Sequence, residues 1–395
     1  MNKKTIRDYD YRGKRTLIRV DFNVPVDASG EITDDTRIRM ALPTVRHLLD
    51  AGARLIVMTH FGRPKNGPEP KFALDIIARK FQELLGKPVR KMDQVVGPQV
   101  EKAVSELKDG EVILLENVRF EAGETKNDPE LSIKLAAMGD MYVNDAFGSC
   151  HRAHCSTEGI AHHLPSAAGF LLEKEIEALA TVIENPDRPF VAMIGGAKIS
   201  SKIGVVKHLL GKADSIVIGG GMAFTFLKAQ GISIGNSLCE DDQLEVARET
   251  MEAAKARGVN LILPDDAVAG SKFAADAEHR IVDINDIPDG WLGMDIGPRT
   301  IERISGILET AGTVVWNGPM GVFEMEAFSA GTFAIARKIA QVKARAVIGG
   351  GDSVAAINLS GVADKIYHIS TGGGASLEML EGITLPGIAA IADKQ

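Results

Sequence analysis

Phe190-Val-Ala-Met-Ile-Gly-Gly-Ala-Lys-Ile-Ser-Ser-Lys202 is a short apolar run that breaks into two glycines and then into residues suited to open a helix. An apolar strand leading through a glycine turn into a helix is the first half of a βαβ unit. The pattern recurs in both directions. Before it, Thr16 to Val24, Arg54 to Thr59, Val112 to Glu116 and Met141 to Asn144 read as strands. After it, Ser215 to Ile218, Asn260 to Leu263, Thr313 to Trp316 and Arg345 to Ile348 do the same. Stretches such as Phe72 to Leu85 and Asp241 to Lys255 lie between them, with apolar residues on one helical face. Strands alternating with helices throughout predict an α/β protein built on parallel sheets.

A chain of 395 residues exceeds the size at which one hydrophobic core keeps growing, so two domains are expected. Phe170 to Glu184 carries Leu172, Ile176, Leu179 and Ile183 on one stripe and is closed by Asn185-Pro186, which cannot continue a helix. It reads as a connecting helix at 171–186 between lobes 1–170 and 187–382, the alternative being one more crossover helix in a single sheet. The first residues are charged and lack the apolar core of a secretory signal, and no apolar run approaches the length of a membrane span. Only three cysteines occur, Cys150, Cys155 and Cys239, which argues against a disulfide framework and for a reducing compartment. A cytoplasmic location is therefore expected, with no membrane partner. The net charge of −8 argues against nucleic acid as a general partner, since backbone binding there needs a basic face.

In open α/β sheets ligands bind beyond the carboxyl ends of the strands. The two halves differ there. The first-half strands lead into Asp21, Asn23, His60, Arg63, Arg119, His151, Arg152 and His154, with Arg37 in the loop after the first strand. The second-half strands lead into Gly195-Gly196, Gly219 to Gly221, Gly349 to Gly351 and Gly372 to Gly374. Arginines gathered from separate loops suit a small, multiply charged anion, because guanidinium forks match phosphate and carboxylate oxygens. Bare glycine turns suit a nucleotide, whose phosphates can approach the N–H groups at a helix start.

Lys198 and Lys202, four residues apart, are expected on the first turns of one helix with both ammonium groups on one face. The loop is not a Walker A, and none of the triple glycines completes a dinucleotide fingerprint, which speaks against a nicotinamide dehydrogenase. Asp352 and Ser353 follow Gly351 directly and either cap a helix or hold Mg²⁺ beside nucleotide phosphates. The segment Cys150 to Cys155 suggests zinc at first sight, but adjacent Cys-His and His-Cys pairs are poorly disposed to converge on one tetrahedral centre. An anion-binding loop fits it better.

On these residues the chain resembles the phosphoglycerate kinase family, of the bacterial type, from near its start to its end. The matching segments are Arg19 to Pro25, His60 to Pro64, Glu116 to Phe120, His151 to His154, Gly195 to Lys198, Trp316 to Glu324, Gly349 to Asp352 and Ser370 to Ser376, in that order. The resemblance implies two doubly wound, Rossmann-like parallel-sheet lobes joined by a connecting helix, with the active site in the cleft between them. It implies that residues 383–395 return to complete the first lobe, and that the protein is a monomer. The activity implied is reversible phosphoryl transfer between 1,3-bisphosphoglycerate and ADP, giving 3-phosphoglycerate and ATP in glycolysis, with Mg²⁺. Asp21, Phe22, Asn23, Arg37, His60, Phe61, Gly62, Arg63, Arg119 and Arg152 would then hold the phosphoglycerate. Lys202, Gly293, Glu324, Gly350, Gly351, Asp352 and Ser353 would hold the nucleotide, with Glu324 on the ribose hydroxyls and Asp352 on the metal. Arg37 and Lys198 would stabilise the phosphoryl group in flight, helped by the amides of Gly373 and Gly374. The chain departs from the family pattern at Ser201, where an acidic residue is common, and at Ser353, where threonine is frequent.

Overall fold

The apolar runs form strands, and the strands form two separate parallel sheets. In the computed structural model, which describes residues 2–65 and 67–394, the first sheet contains β1 (Arg15–Val20), β2 (Arg54–Met58), β3 (Arg90–Lys91), β4 (Val112–Leu114), β5 (Met141–Asp145) and β6 (Ser166–Ala168). Its order is β3-β4-β2-β1-β5-β6, a doubly wound arrangement that starts at the centre and builds outward both ways. The second half supplies β7 (Phe190–Ile194), β8 (Ser215–Ile218), β9 (Asn260–Ile262), β10 (Asp266–Gly270), β11 (His279–Asp283), β12 (Leu292–Ile296), β13 (Thr313–Asn317), β14 (Arg345–Gly349) and β15 (His368–Ile369). Six of these form the second parallel sheet, in the order β15-β14-β13-β7-β8-β9.

Parallel strands with helices on both faces are buried on both sides. Within β1, Leu17 and Ile18 accordingly point into different cores, Leu17 packing with Ile56, Leu135 and Tyr142, and Ile18 with Val57, Phe22 and Phe81. Arg19 is the exception in this strand, a guanidinium only 1% exposed.

The chain divides into two compact units, Met1–Glu177 with Thr384–Gln395, and Ala178–Ile383. The helix Phe170–Glu184 runs across that boundary. Its first amides are capped from two other elements of the first unit: Phe170 N–H donates to Thr44 Oγ1 at 3.0 Å, and those of Leu171 and Leu172 to Asp145 Oδ1 at 3.0 and 3.1 Å. The C-terminal segment lies against the first unit, with Lys4 N–H donating to Ala392 O at 2.8 Å and Gly387 N–H to Cys150 O at 2.9 Å.

Four expectations need correction. The first strand stops at Val20, because the Asp21 carboxylate accepts the Asn23 N–H at 3.2 Å and turns the chain before Pro25. Arg37 is not in a loop but in the first turn of the helix Thr36–Asp50, whose entry is set by Asp34 Oδ1 accepting the Thr36 N–H at 2.8 Å. The helix over Phe72 to Leu85 begins only at Asp75, and the one over Asp241 to Lys255 at Leu244, each preceded by a 3₁₀ turn. Strands β10, β11 and β12 form a three-stranded antiparallel sheet that the apolar runs did not announce. Their sequences, DAVAG, HRIVD and LGMDI, mix small and charged residues and show no continuous apolar signal.

Candidate active site

In the first unit, the turns after β1 and β2 bring together most of the residues expected to bind an anion. Arg37 Nη1 donates to Asp21 Oδ2 at 2.9 Å, and Asn23 Oδ1 accepts the Gly62 N–H at 2.8 Å. Arg119 Nη1 donates to Gly62 O at 2.7 Å, while its Nε–H is buried without a partner among the described residues. Arg63 and Arg152 are exposed at the edge of the group. Burial first, then the nearby charges of Arg19 and Arg63, pull the Arg119 pKa down to about 10. His154 is pulled down to about 4 by burial and by Arg19, Arg119 and Arg152. Burial is the larger cause of both shifts, and the guanidinium charges that add to it are the part a bound anion would relieve. Phe22 and Phe61 are buried, so any contribution from them to a ligand comes through the backbone.

The thiols of the zinc-like segment do not converge. Cys155 Sγ faces the carbonyls of Gly123 and Asp128, both at 3.3 Å, and Cys150 Sγ faces Ala146 O at 3.4 Å. Burial pushes their pKa values up to about 11 and about 12, so they are protonated.

The second unit contains a cavity of about 290 Å³. Its floor includes Gly196, Ala197, Gly220 and Gly221, from the turns after β7 and β8, and its walls include Phe224, Leu238, Leu292, Met294, Pro319 and Val322. Glu324 and Asp352 also border it. Flat apolar walls, a glycine floor and few polar groups suit a purine nucleotide. Gly293, on the unannounced antiparallel sheet, also lines the cavity, and a Cβ there would run into the Phe224 ring. The glycine is needed for that close approach, and its N–H is held by Ser237 Oγ at 2.9 Å.

Lys198 and Lys202 do not share a helix face. The helix starts at Ile203, and residues 197–202 form turns in which Ser201 Oγ donates to Lys198 O at 2.9 Å and Glu240 holds both the N–H and the hydroxyl of Ser200. Serines that bond locally favour turns over helix here. Lys198 is exposed, with no ion-pair partner among the described residues. Lys202 is partly buried and donates to Asn317 Oδ1. Burial lowers its pKa, against the pull of Asp352 and Glu381. A desolvated ammonium with no carboxylate in ion-pair range among the described residues is a natural partner for phosphate.

Neither Asp352 nor Ser353 caps the helix Gly351–Leu359, whose N-cap is Gly350 at φ 89°. Ser353 Oγ is buried and accepts the Gly318 N–H at 2.6 Å, whereas Asp352 is exposed. Gly373, at φ 51°, is the N-cap of the helix Gly374–Leu380. Three residues of these sites carried no assigned role in the sequence: Arg19, Asn317 and Asp295. For Arg19 and Asn317 the legible signal was a charged or amide side chain in or directly after an apolar run, whereas Asp295 stands on β12, which no apolar run announced.

Asp295, on β12, lines the cavity, and its carboxylate accepts the Gly331 N–H at 2.7 Å and the Ile296 N–H at 2.9 Å. Burial nevertheless raises its pKa to about 7. The folded state therefore binds a proton that the unfolded state, with a pKa of about 4, has lost. The contribution of Asp295 to stability is fullest below about pH 4 and is lost as pH rises through about 7. Asp295→Asn is expected to flatten that decline in the second unit. Because Trp291 and Trp316 both lie in Ala178–Ile383, denaturation followed by tryptophan fluorescence at several pH values reads it selectively. An unchanged slope would show that Asp295 is not the group responsible.

Two α/β units, one with crowded guanidiniums at its strand ends and one with a glycine-floored apolar cavity, define a class: a nucleotide-using phosphotransferase. Comparison with known proteins gives the family. The phosphoglycerate kinase family model matches residues 6–383. The chain is similar to the phosphoglycerate kinases of Moorella thermoacetica, 57% identical over 394 residues, and Chloroflexus aurantiacus, 56% over 400 residues, with 100% of both chains covered in each case. Among solved structures it is similar to phosphoglycerate kinase from Coxiella burnetii (TM-score 0.91, 41% identity, 98% of each chain) and from Pyrococcus horikoshii (TM-score 0.84, 35% identity, 98% of each chain). The chain belongs to the phosphoglycerate kinase family and is a kinase.

Proposed function

We propose that the two units divide the work, the basic strand ends of the first taking the phosphoglycerate and the cavity of the second taking the adenine nucleotide. The reaction is the reversible transfer of a phosphoryl group between 1,3-bisphosphoglycerate and ADP, giving 3-phosphoglycerate and ATP in glycolysis. The observation that carries the division of labour is the segregation of chemistry. Arg37, Arg63, Arg119 and Arg152 belong to the first unit, and the glycine-floored cavity with Glu324 and Asp352 to the second.

In the direction of ATP use, the attacking group is a carboxylate. It is already ionised at neutral pH, so no general base is needed. The reaction needs alignment, and positive charge on the equatorial oxygens of a loose transition state. Arg37, Lys198 and the amides of Gly373 and Gly374 are the groups we assign to that. Asn23, His60, Gly62 and Arg63 orient the acid together with Arg119 and Arg152, and Asp21 orients Arg37. Lys202 and the turn Gly350 to Ser353 hold the nucleotide phosphates, and Glu324 the ribose hydroxyls. Ligands held by different units must be brought within about 3–3.5 Å for in-line transfer. Our reading therefore requires the two bound ligands to be brought together with water excluded from the reacting groups.

The residues present suit Mg²⁺. Asp352 offers one exposed carboxylate that is not used as a cap, and no cluster of three or more His, Cys, Asp or Glu among the described residues could hold a metal alone. An ion there would rely on phosphate oxygens and water, the usual Mg²⁺ environment. When bound it supplies charge neutralisation on the transferring phosphates. Among the described residues no helix is long and apolar enough to cross a membrane. A cytoplasmic monomer is the setting we assign.

Arg63→Ala tests the division. Removing one charge-assisted contact should weaken 3-phosphoglycerate binding by roughly tenfold to a hundredfold and leave ADP affinity nearly unchanged. Calorimetry on the folded variant reads both, and equal losses for the two ligands would count against it.

A further inference from the structure

His60 stands just after β2, buried with 5% of the residue exposed, and near the guanidiniums of Arg19, Arg37 and Arg119. Its Nδ1 lies 3.1 Å from Arg19 Nη2. A guanidinium can only donate, so at this contact Nδ1 must be the acceptor and carry no proton. In a neutral imidazole the proton is then on Nε2, which meets no partner among the described residues.

The Arg19 guanidinium is itself held on its other sides. Its Nη1 donates to Val20 O, and its Nε to Ser156 Oγ at 2.8 Å. Ser156 Oγ in turn donates to Glu124 Oε1 at 2.5 Å, and the Ser156 N–H to Glu124 Oε2 at 3.0 Å. Arg19, Ser156 and Glu124 are all within 1% of complete burial. Buried polar chains of this kind leave little rotational freedom, because every alternative strands a donor away from water.

The charges facing the ring come from every side. Arg19 and Asp21 belong to β1 and its turn, Arg37 to the helix Thr36–Asp50, and Arg119 to the turn Val118–Phe120. Asp21 Oδ1 is 3.8 Å from Nδ1, an ion-pair distance only if the ring is cationic. Burial and three guanidiniums oppose that cation against one carboxylate, and they hold the His60 pKa well below its ordinary value.

We infer that Arg19 is a positioning residue that fixes His60 as the Nε2–H tautomer, so that the imidazole meets the bound acid as a neutral hydrogen-bond donor rather than as a charge. This rests on the reading that the cluster takes the phosphoglycerate. It gives Arg19, Ser156 and Glu124 one shared task at a distance from the ligand.

The test is two-bond ¹H–¹⁵N correlation on ¹⁵N-histidine-labelled protein without ligand, with the His60 signals assigned by their loss in His60→Gln. Protonated and unprotonated ring nitrogens separate clearly in such spectra. The expected result is an unprotonated Nδ1 and a protonated Nε2 from about pH 6 to about pH 8, where a free histidine would titrate. In Arg19→Met the tautomers should mix, and the 3-phosphoglycerate Kd should rise about tenfold, the loss of one hydrogen bond, with the ADP Kd unchanged. Arg19→Lys, which keeps a donor but not the fork, should restore part of the tautomer preference. If Arg19→Met does not fold, Ser156→Ala removes the Nε anchor and the hydroxyl contact to Glu124 while keeping the Arg19 guanidinium, and should shift the tautomer in the same direction. A wild-type His60 that is cationic or Nδ1–H at pH 7 overturns the inference, as does an Arg19→Met spectrum identical to wild type. Wild-type protein that shows the tautomer but has no affinity for 3-phosphoglycerate overturns the reading of the cluster, and the donor role with it.

Discussion

Replacing Lys198 by alanine is expected to lower kcat by about 10²–10³ while leaving the ATP KM within a few-fold of wild type. The reason lies in where the side chain sits. Lys198 is exposed on a turn stabilised by serines, with no ion-pair partner among the described residues, so it is not committed to holding the fold. On the role we propose for it, an exposed ammonium of that kind contributes little to the ground state and most where charge gathers on the transferring phosphoryl group. Lys202, four residues on, is different: it is partly buried and tied to Asn317, and we assign it to ground-state phosphate binding. Glu324→Ala provides the contrast, because Glu324 borders the cavity and is the group we propose for the ribose, which does not change during the reaction. Its KM for ATP should rise with kcat nearly preserved. Steady-state kinetics on both variants decides the matter, and matching defects would refute the assignment of roles.

Trp316→Ala is expected to destabilise the second unit by roughly 3–5 kcal/mol, the usual cost of truncating a large, fully buried aromatic. Trp316 is 0% exposed and heads the largest fully buried side chains. Its Nε1–H donates to Gly318 O at 2.7 Å, and the Gly318 N–H is held by Ser353 Oγ at 2.6 Å. The indole therefore supports both the core behind β13 and the turn leading to Pro319 and Met320, which line the cavity. Truncation should weaken ADP binding as well as folding. Trp316→Phe fills most of the volume and should recover most of the stability but not the Gly318 contact. Denaturant titration followed by Trp291 fluorescence reads this unit, since Trp291 lies within it. A loss below about 1 kcal/mol would place Trp316 outside the group of core residues that dominate stability.

The parts of this protein that were legible in sequence share one property: they are local. β7 and β8 were read at their observed limits because apolar β-branched runs bounded by turn residues are a short-range signal. The helix Phe170–Glu184 was legible for the same reason, with its periodic stripe and its Asn185-Pro186 stop. The antiparallel sheet was not, since its strands are stabilised by pairing with one another rather than by their own composition. The lysine pair was misplaced because a four-residue spacing indicates a shared face only where the chain is already helical. Here Glu240, distant in sequence, holds Ser200 in a turn instead.

The candidate site divides along the same line. Sequence by itself determined the class of fold, the family, and the residue types at the strand ends, because glycine turns and clustered arginines have few other uses in that position. Only the tertiary structure decided which groups are charged, which are held and which are available. Arg19 looks like one more basic residue until Ser156 and Glu124, more than a hundred residues away in the chain, are seen to close around it. Asp295 looks like one more acidic residue until its burial raises its pKa to about 7. The physical reason is that desolvation and hydrogen-bond partnership are set by what surrounds a group in space. Neither exists until segments distant in sequence have packed together.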